Sequence, residues 1–220
     1  VFKKIIKYEL VDKEKWENEV RPAYISWDKR QGDYDTYLLK MVDIYMEAII
    51  GTGEEHIKHI ARKVIEQKGD RVYTFTRERI KWHKEQGHIV IAISGSPLEL
   101  VKEMSEKYHM DDYRGTIYKL DENGKYNGEV VPMWDSDSKQ KAINELVEKH
   151  DIDLSKSYAY GDTSGDYTMF KSVGCPFAIN PTKELLGKIK NDESLKDKIN
   201  LIVERKDVTY KLNMNSIEII

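Results

Sequence analysis

The chain has a single cysteine, Cys175, in 220 residues. One thiol excludes an intramolecular disulfide and any Cys-rich zinc site, and it fits a reducing compartment such as the cytoplasm. Long apolar runs are also missing. None approaches the roughly 20 residues that span a bilayer, and no signal peptide is visible. Charge of one sign is not in excess. The net charge is −3 with 34% charged residues, which argues against nucleic acid or an anionic membrane surface as a partner. No Gly-x-x-x-x-Gly-Lys-Ser/Thr loop occurs, so the chain is not a P-loop NTPase. Internal repeats and low-complexity tracts are absent. The first residues are Val1-Phe2-Lys3-Lys4, without a methionine.

What is present suits one large domain, or a domain with a smaller insert. Residues 1 to about 86 read as helical throughout. Phe2, Ile5, Ile6, Leu10 and Trp16 are spaced for one apolar face. Tyr34, Tyr37, Leu38, Met41, Val42, Ile44, Tyr45 and Ala48 form a second stripe, stopped by Gly51 and Gly53. Ile57, Ile60, Ala61, Val64 and Ile65 form a third, ending at Gly69, and a fourth helix is expected from about Asp70 to Gln86.

The second half changes character. His88-Ile89-Val90-Ile91-Ala92-Ile93 is a continuous apolar run, the pattern of a strand buried on both faces of a parallel sheet. Ser94-Gly95-Ser96-Pro97 follows, with Ser96 as N-cap and Pro97 as first residue of a helix to about Tyr108. Residues 115–120 and 125–131 flank Asp121-Glu122-Asn123-Gly124 and read as a hairpin. Then come a helix over about 138–150, a strand at 157–160, a helix to about Ser172, a strand at 177–179, a helix near Thr182 and a last strand at 201–203. The tail after Glu204 carries no pattern. Alternating strands and helices predict an α/β fold with a Rossmann-like parallel sheet. The expected domains are an N-terminal all-helical cap over 1–78 and an α/β core over 79–220.

Ligands in open α/β sheets bind beyond the carboxyl ends of the strands. Ser94, the pair Asp162 and Asp166, and Asn180 fall there. Ser94 precedes a helix start whose free N–H groups favour an anion; the alternative is a plain strand-to-helix turn. Lys139 sits in the first turn of its helix, where a cation opposes the macrodipole. Its spacing from Ala142 turns it towards the sheet, where it could neutralise phosphate as a point charge. The competing choices are a solvated surface lysine, or Lys141. Asp162 and Asp166 are two carboxylates at a strand end, a donor set for a hard cation such as Mg²⁺. The alternative is a turn aspartate followed by a helix cap. His56 and His59 have no third ligand nearby and read as surface residues. Cys175, Trp27 and Trp82 read as packing residues.

The order Ile91-Ala92-Ile93-Ser94-Gly95, then Lys139, then Tyr160-Gly161-Asp162-Thr163-Ser164-Gly165-Asp166, resembles the haloacid-dehalogenase-like (HAD) superfamily. The phosphoserine-phosphatase-like branch with a helical cap is the nearest likeness, and Gly174…Ala178-Ile179-Asn180-Pro181 adds to it. The resemblance spans about residues 70–190. It implies that Ser94 and the Gly95 amide bind the transferring phosphoryl group. Lys139 would hold that group and the nucleophile. Asp162 would ligate Mg²⁺, and Asp166 would ligate it or support its waters. The implied activity is Mg²⁺-dependent hydrolysis of a small phosphorylated metabolite through an aspartyl-phosphate, with no nucleic-acid or membrane partner.

Two departures stand out. The family's Asp-x-Asp-x-Thr/Val motif, with nucleophile and general acid/base, is not in this chain. Asp135-Ser136-Asp137 and Asp151-Ile152-Asp153 have the spacing but follow no apolar strand. The expectation is that the natural protein carries at least about 20 further N-terminal residues with that motif and a central strand, and that the chain as given is inactive. The alternative is a non-catalytic relative that binds a phosphorylated ligand; a third option is phosphoryl transfer to an acceptor other than water. Thr163-Ser164-Gly165 and Ser94-Gly95-Ser96-Pro97 also differ from the Gly-Ala-Asn and Ser-Gly-Gly-Phe of phosphoserine phosphatases, so the resemblance does not fix the substrate.

Overall fold

The computed structural model describes residues 13–218. Phe2, Ile5, Ile6 and Leu10 of the first stripe lie outside the described residues. A helical turn at Lys13–Lys15 and a π-helical turn at Trp16–Val20 lead into α1 (Arg21–Asp28). There follow α2 (Tyr34–Ile49), α3 (Glu54–Lys68), α4 (Thr74–Glu85), β1 (Ile91–Pro97), α5 (Leu98–Lys107), β2 (Asp112–Leu120) and β3 (Tyr126–Val131). The rest is α6 (Ser136–His150), β4 (Tyr158–Gly161), α7 (Tyr167–Ser172), β5 (Cys175–Ile179), α8 (Lys183–Lys190), α9 (Glu193–Lys196), β6 (Asn200–Glu204) and β7 (Thr209–Leu212).

Two compact units emerge. The first comprises residues 1–71, 97–109 and 116–131. Its core joins Val20, Ile44, Tyr45, Ile49, Ile57, Ile60 and Val64 to Tyr118 and Tyr126 of the hairpin. The helical stripes thus bury as their spacing requires: Ile57, Ile60, Ala61 and Val64 all face inward, while His56 and His59 are exposed. This unit is not helix alone. Tyr118 meets Tyr45 edge-on at 4.9 Å. On α5, the Tyr108 hydroxyl donates to the Gly69 carbonyl at 2.9 Å, and Lys107 pairs with Asp70. These contacts draw 97–109 and 116–131 into the unit expected to hold only 1–78.

The second unit comprises residues 72–96, 110–115 and 132–220. Strands β4, β5 and β6 pair in parallel, and β7 closes that sheet antiparallel to β6. The parallel core was legible from the strand–helix alternation; β7 was not, because Thr209–Leu212 is largely exposed and shows no apolar alternation. The carboxylate of Glu204, ending β6, accepts from the Thr74 and Phe75 amides at 2.7 and 2.8 Å. It thereby caps the start of α4, whose own N-cap residue Tyr73 offers no acceptor. The strands β1, β2 and β3 form a separate sheet in that order.

β1 begins and ends three to four residues later than the apolar run suggested. Ser96 belongs to the strand and does not cap α5. The Ser96 amide donates to Ser94 Oγ at 3.2 Å, and Pro97 is extended (φ −52°, ψ 138°), so the helix starts at Leu98.

Candidate functional site

The site grows from the end of β4. The chain leaves the sheet at Gly161, passes through Asp162 and Thr163, makes a 3-10 turn at Ser164–Asp166 and enters α7. Asp166 is the pivot. Its Oδ2 accepts from the Asp162 amide at 3.0 Å, the Thr163 amide at 3.1 Å and the Thr163 hydroxyl at 3.4 Å. With the Thr163 side chain accepting in return from the Asp166 amide, this is a capping box on the 3-10 turn. Oδ2 closes that turn; as the residue before α7, Asp166 makes no side-chain cap hydrogen bond to that helix, so the helix-cap alternative is not what the structure shows. The other oxygen, Oδ1, accepts from Lys139 Nζ at 2.5 Å.

Lys139 reaches that oxygen because Asp135 caps α6, accepting from the Ser138 amide at 2.8 Å. Lys139 is then the fourth helical residue, on the face of Ala142, Ile143 and Leu146, all buried. Lys139 is 6% exposed and Asp166 5%, whereas Lys141 points to solvent. A buried charge survives when paired and hydrogen-bonded, and Asp166 supplies both. Gly161 makes room for the pair: a Cβ there would lie 2.5 Å from the Asp166 carboxyl group.

Asp162 differs from Asp166. Its side chain is exposed and accepts no side-chain hydrogen bond among the described residues. Partial desolvation by the surrounding protein raises its pKa, and the Asp166 charge adds to that against the pull of Lys139. Its backbone is fixed from the next loop, where the Thr182 amide donates to the Asp162 carbonyl at 2.8 Å. Asn180 serves the same loop. Its φ is +45°, and its side-chain oxygen accepts from the Glu204 amide at 2.9 Å, so it ties strand ends together and does not reach for a ligand.

Ser94, half-buried in β1, makes no hydrogen bond to Lys139, Asp162 or Asp166 among the described residues. Its loop and the aspartate loop instead share a neighbour, Trp134. A Cβ on Gly95 would sit 2.9 Å from Trp134 Cβ, and one on Gly165 would sit 2.5 Å from the Trp134 carbonyl oxygen. The segment just before the Asp135 cap thus runs against both loops. Sequence reasoning missed Trp134; the two glycines, one in each loop, were the available signal that a backbone passes close to both.

It also missed a cluster around Tyr160. The Tyr160 hydroxyl bonds Arg79 Nε at 2.9 Å and His83 Nε2 at 2.8 Å, and His83 Nδ1 lies 2.9 Å from His88 Nδ1. The Arg79 guanidinium lies 4.0 Å from the Trp82 ring centre. Burial first, then Arg79 and His88, pulls the His83 pKa down to about 4.

The donor set suits a small hard cation held by few protein ligands. Among the described residues no three His, Cys, Asp or Glu side chains converge on one point. Mg²⁺ commonly takes one or two carboxylates, keeps several waters and adds substrate phosphate. Asp162 has free oxygens for that role; both oxygens of Asp166 are engaged.

Comparison with known proteins places these features in context. A family model described as haloacid dehalogenase-like hydrolase matches residues 10–171. A protein of Streptomyces azureus named for inhibition of morphological differentiation is 29% identical over 168 residues, covering 76% of this chain and 61% of that protein. A phosphoserine phosphatase of Methanocaldococcus jannaschii is 26% identical over 132 residues, covering 60% of this chain and 57% of that one. The chain thus spans less than two thirds of the length of these relatives. Among solved structures, a protein of unknown function from Bordetella pertussis superposes with a TM-score of 0.60 at 13% identity, over 77% of this chain and 76% of that one. At that identity the likeness speaks for the fold.

Proposed function

Because the chain belongs to the haloacid dehalogenase-like hydrolase family, we propose that it handles phosphate in a Mg²⁺-dependent phosphomonoesterase acting on a small phosphorylated metabolite. The observation that carries this reading is the buried Lys139–Asp166 pair beside the exposed, unengaged Asp162. The Ser94 hydroxyl, with the Gly95 amide, would donate to the phosphoryl oxygens. Lys139 would neutralise their charge, and Asp166 would keep its ammonium group in place. Asp162 would be the protein ligand of Mg²⁺, which when bound supplies further charge neutralisation. Phosphoryl transfer is served by such positioning and electrostatics more than by covalent work from the protein. Asp166 joins Lys139 through one oxygen and the backbone turn through the other, which favours a supporting role over direct metal ligation.

Hydrolysis through an aspartyl-phosphate needs a nucleophilic carboxylate that Lys139 can steady. Asp166 is fully engaged, and the Asp-x-Asp element that the family resemblance calls for is not among these residues. A second reading, a non-catalytic protein that binds a phosphorylated ligand, would use the same buried Lys139–Asp166 pair for phosphate without turnover. The deciding experiment is phosphate release from a panel of phosphomonoesters by the protein encoded by the complete reading frame, with Mg²⁺ and with EDTA. The phosphatase reading expects turnover with Mg²⁺ only. Ligand binding without turnover would support the second reading, and turnover unaffected by EDTA would overturn the metal's role.

A further inference from the structure

The chain has four tryptophans, and the surroundings of the other three account for all but Trp134. Trp16 packs on the core of the first unit. Trp27 stacks on Tyr37 at 5.5 Å. Trp82 lies 4.0 Å from the Arg79 guanidinium and meets the Tyr158 ring edge-on at 5.6 Å. Trp134 is half-buried. Among the described residues its ring meets no aromatic ring and no cation, and its indole N–H has no hydrogen-bond partner and is not buried.

Its place in the second unit gives that ring a use. Trp134 Cβ lies over Gly95, whose amide the phosphate reading assigns to the phosphoryl group, and its carbonyl oxygen lies over Gly165, next to Asp166. The backbone there is fixed. Asp135, the next residue, caps α6. The Ser136 hydroxyl donates to the Ser164 carbonyl at 3.4 Å, and the Thr168 hydroxyl donates to the Ser136 carbonyl at 3.3 Å. These bonds tie the segment after Trp134 to the aspartate loop and to α7, so the indole stands on a supported stretch of chain.

We propose that Trp134 is a specificity-determining residue whose indole stacks on a planar aromatic ring of the leaving group, so that the substrate is the phosphate ester of a compact aromatic alcohol. The inference rests on the phosphate reading above and adds the class of leaving group. A large apolar side chain left without packing partners beside a polar site is the informative kind of exposure. Ligand sites use aromatic faces for the body of the ligand and a few polar groups for its orientation. An indole gains from a second aromatic ring, offset or edge-on, beyond what buried area alone supplies. A saturated ring of similar size gains the area only. Trp134 abuts the glycine that would hold the phosphate, so the ring it meets is joined to the ester oxygen directly or by a short link, and not through a sugar.

The test is titration calorimetry of the protein from the complete reading frame, with Mg²⁺, against benzylphosphonate and cyclohexylmethylphosphonate. These non-hydrolysable ligands differ only in the ring. The aromatic ligand is expected to bind about fivefold more tightly to the parent, to keep a preference in Trp134→Phe and to lose it in Trp134→Leu. The Trp134 indole N–H resonance, assigned by its absence from Trp134→Phe, is expected to shift further with benzylphosphonate than with its saturated counterpart. That readout on the parent decides the matter even where Trp134→Leu fails to fold. Equal affinities in the parent, a preference kept in Trp134→Leu, or equal shifts would overturn the inference and leave the phosphate reading standing. Failure of both ligands to bind, or binding that inorganic phosphate does not displace, would overturn the phosphate reading and the inference with it.

Discussion

Lys139 Nζ and Asp166 Oδ1 lie 2.5 Å apart, and both side chains are almost completely withdrawn from solvent. Asp166 simultaneously holds the turn that places Asp162, so one carboxylate couples the cation of the site to the geometry of its exposed acid. Removing Lys139 leaves a buried carboxylate unpaired. Lys139→Ala is expected to lose about 3 kcal/mol of stability, and Lys141→Ala, at an exposed position, no more than about 0.5 kcal/mol. Urea unfolding of the two variants checks this. Equal losses would refute the assignment of Lys139 to the site.

Gly161 is the space that Asp166 fills. Gly161→Ala is expected to cost about 1–3 kcal/mol through overpacking and to displace the Asp166 carboxyl group. Gly187 in α8 is an internal comparison, because a Cβ there meets nothing within 4 Å. Gly187→Ala is expected to gain up to about 1 kcal/mol from helix propensity. Thermal unfolding of both variants reads the difference in sign.

His83 predicts a pH dependence. Its folded pKa of about 4 lies below the ordinary 6.5, first because of burial and then because of Arg79 and His88. Neutral His83 thus supports folding above pH 6.5, and the support is lost as pH falls towards 4, by up to about 3 kcal/mol. The Tyr158 ring and the Tyr160 hydroxyl also face it. In His83→Phe, the fall in stability between pH 6.5 and 4 should be shallower by up to one proton. Parallel stability–pH curves for variant and parent would contradict this.

Asp112 acts at lower pH. Burial pushes its carboxyl pKa up, but hydrogen bonds from Lys149, His150 and the Tyr113 amide, with the Arg114 charge, hold it well below the usual range. A depressed carboxylate adds stability above its unfolded pKa, near 3.8, and that stability is lost as pH falls through the folded value. Asp112→Asn is expected to cost about 2 kcal/mol at pH 7. The gap to the parent should narrow below about pH 3, as followed by urea unfolding across pH.

What the sequence made legible was what short-range patterning controls. The stripe Ile57-Ile60-Ala61-Val64 declared a helix through its period, the continuous apolar run before Ser94 declared a strand but neither its bounds nor its half-burial, and Asp121-to-Gly124 declared its turn. Lys139 was legible because a cation in a first helical turn breaks a local rule. Trp134 was not, because its role depends on two loops that approach it from about 30 to 40 residues away. The dual use of Asp166 was hidden as well: cap and ion pair share one carboxylate, and residue type alone names only one of them. The hairpin's place in the first unit turns on Tyr118 meeting Tyr45, a contact between distant segments that no local pattern announces.

The most direct test of the central claim uses Asp162, whose exposed side chain can be changed without emptying the core. Phosphate release from a phosphomonoester by the protein from the complete reading frame is measured over a Mg²⁺ titration, for the parent and for Asp162→Asn. The account predicts turnover that rises with Mg²⁺ in the parent and falls by about 100-fold or more in the variant, with thermal stability unchanged or slightly raised because an ionised group of elevated pKa is removed. Full activity in Asp162→Asn, or turnover independent of Mg²⁺, would contradict it.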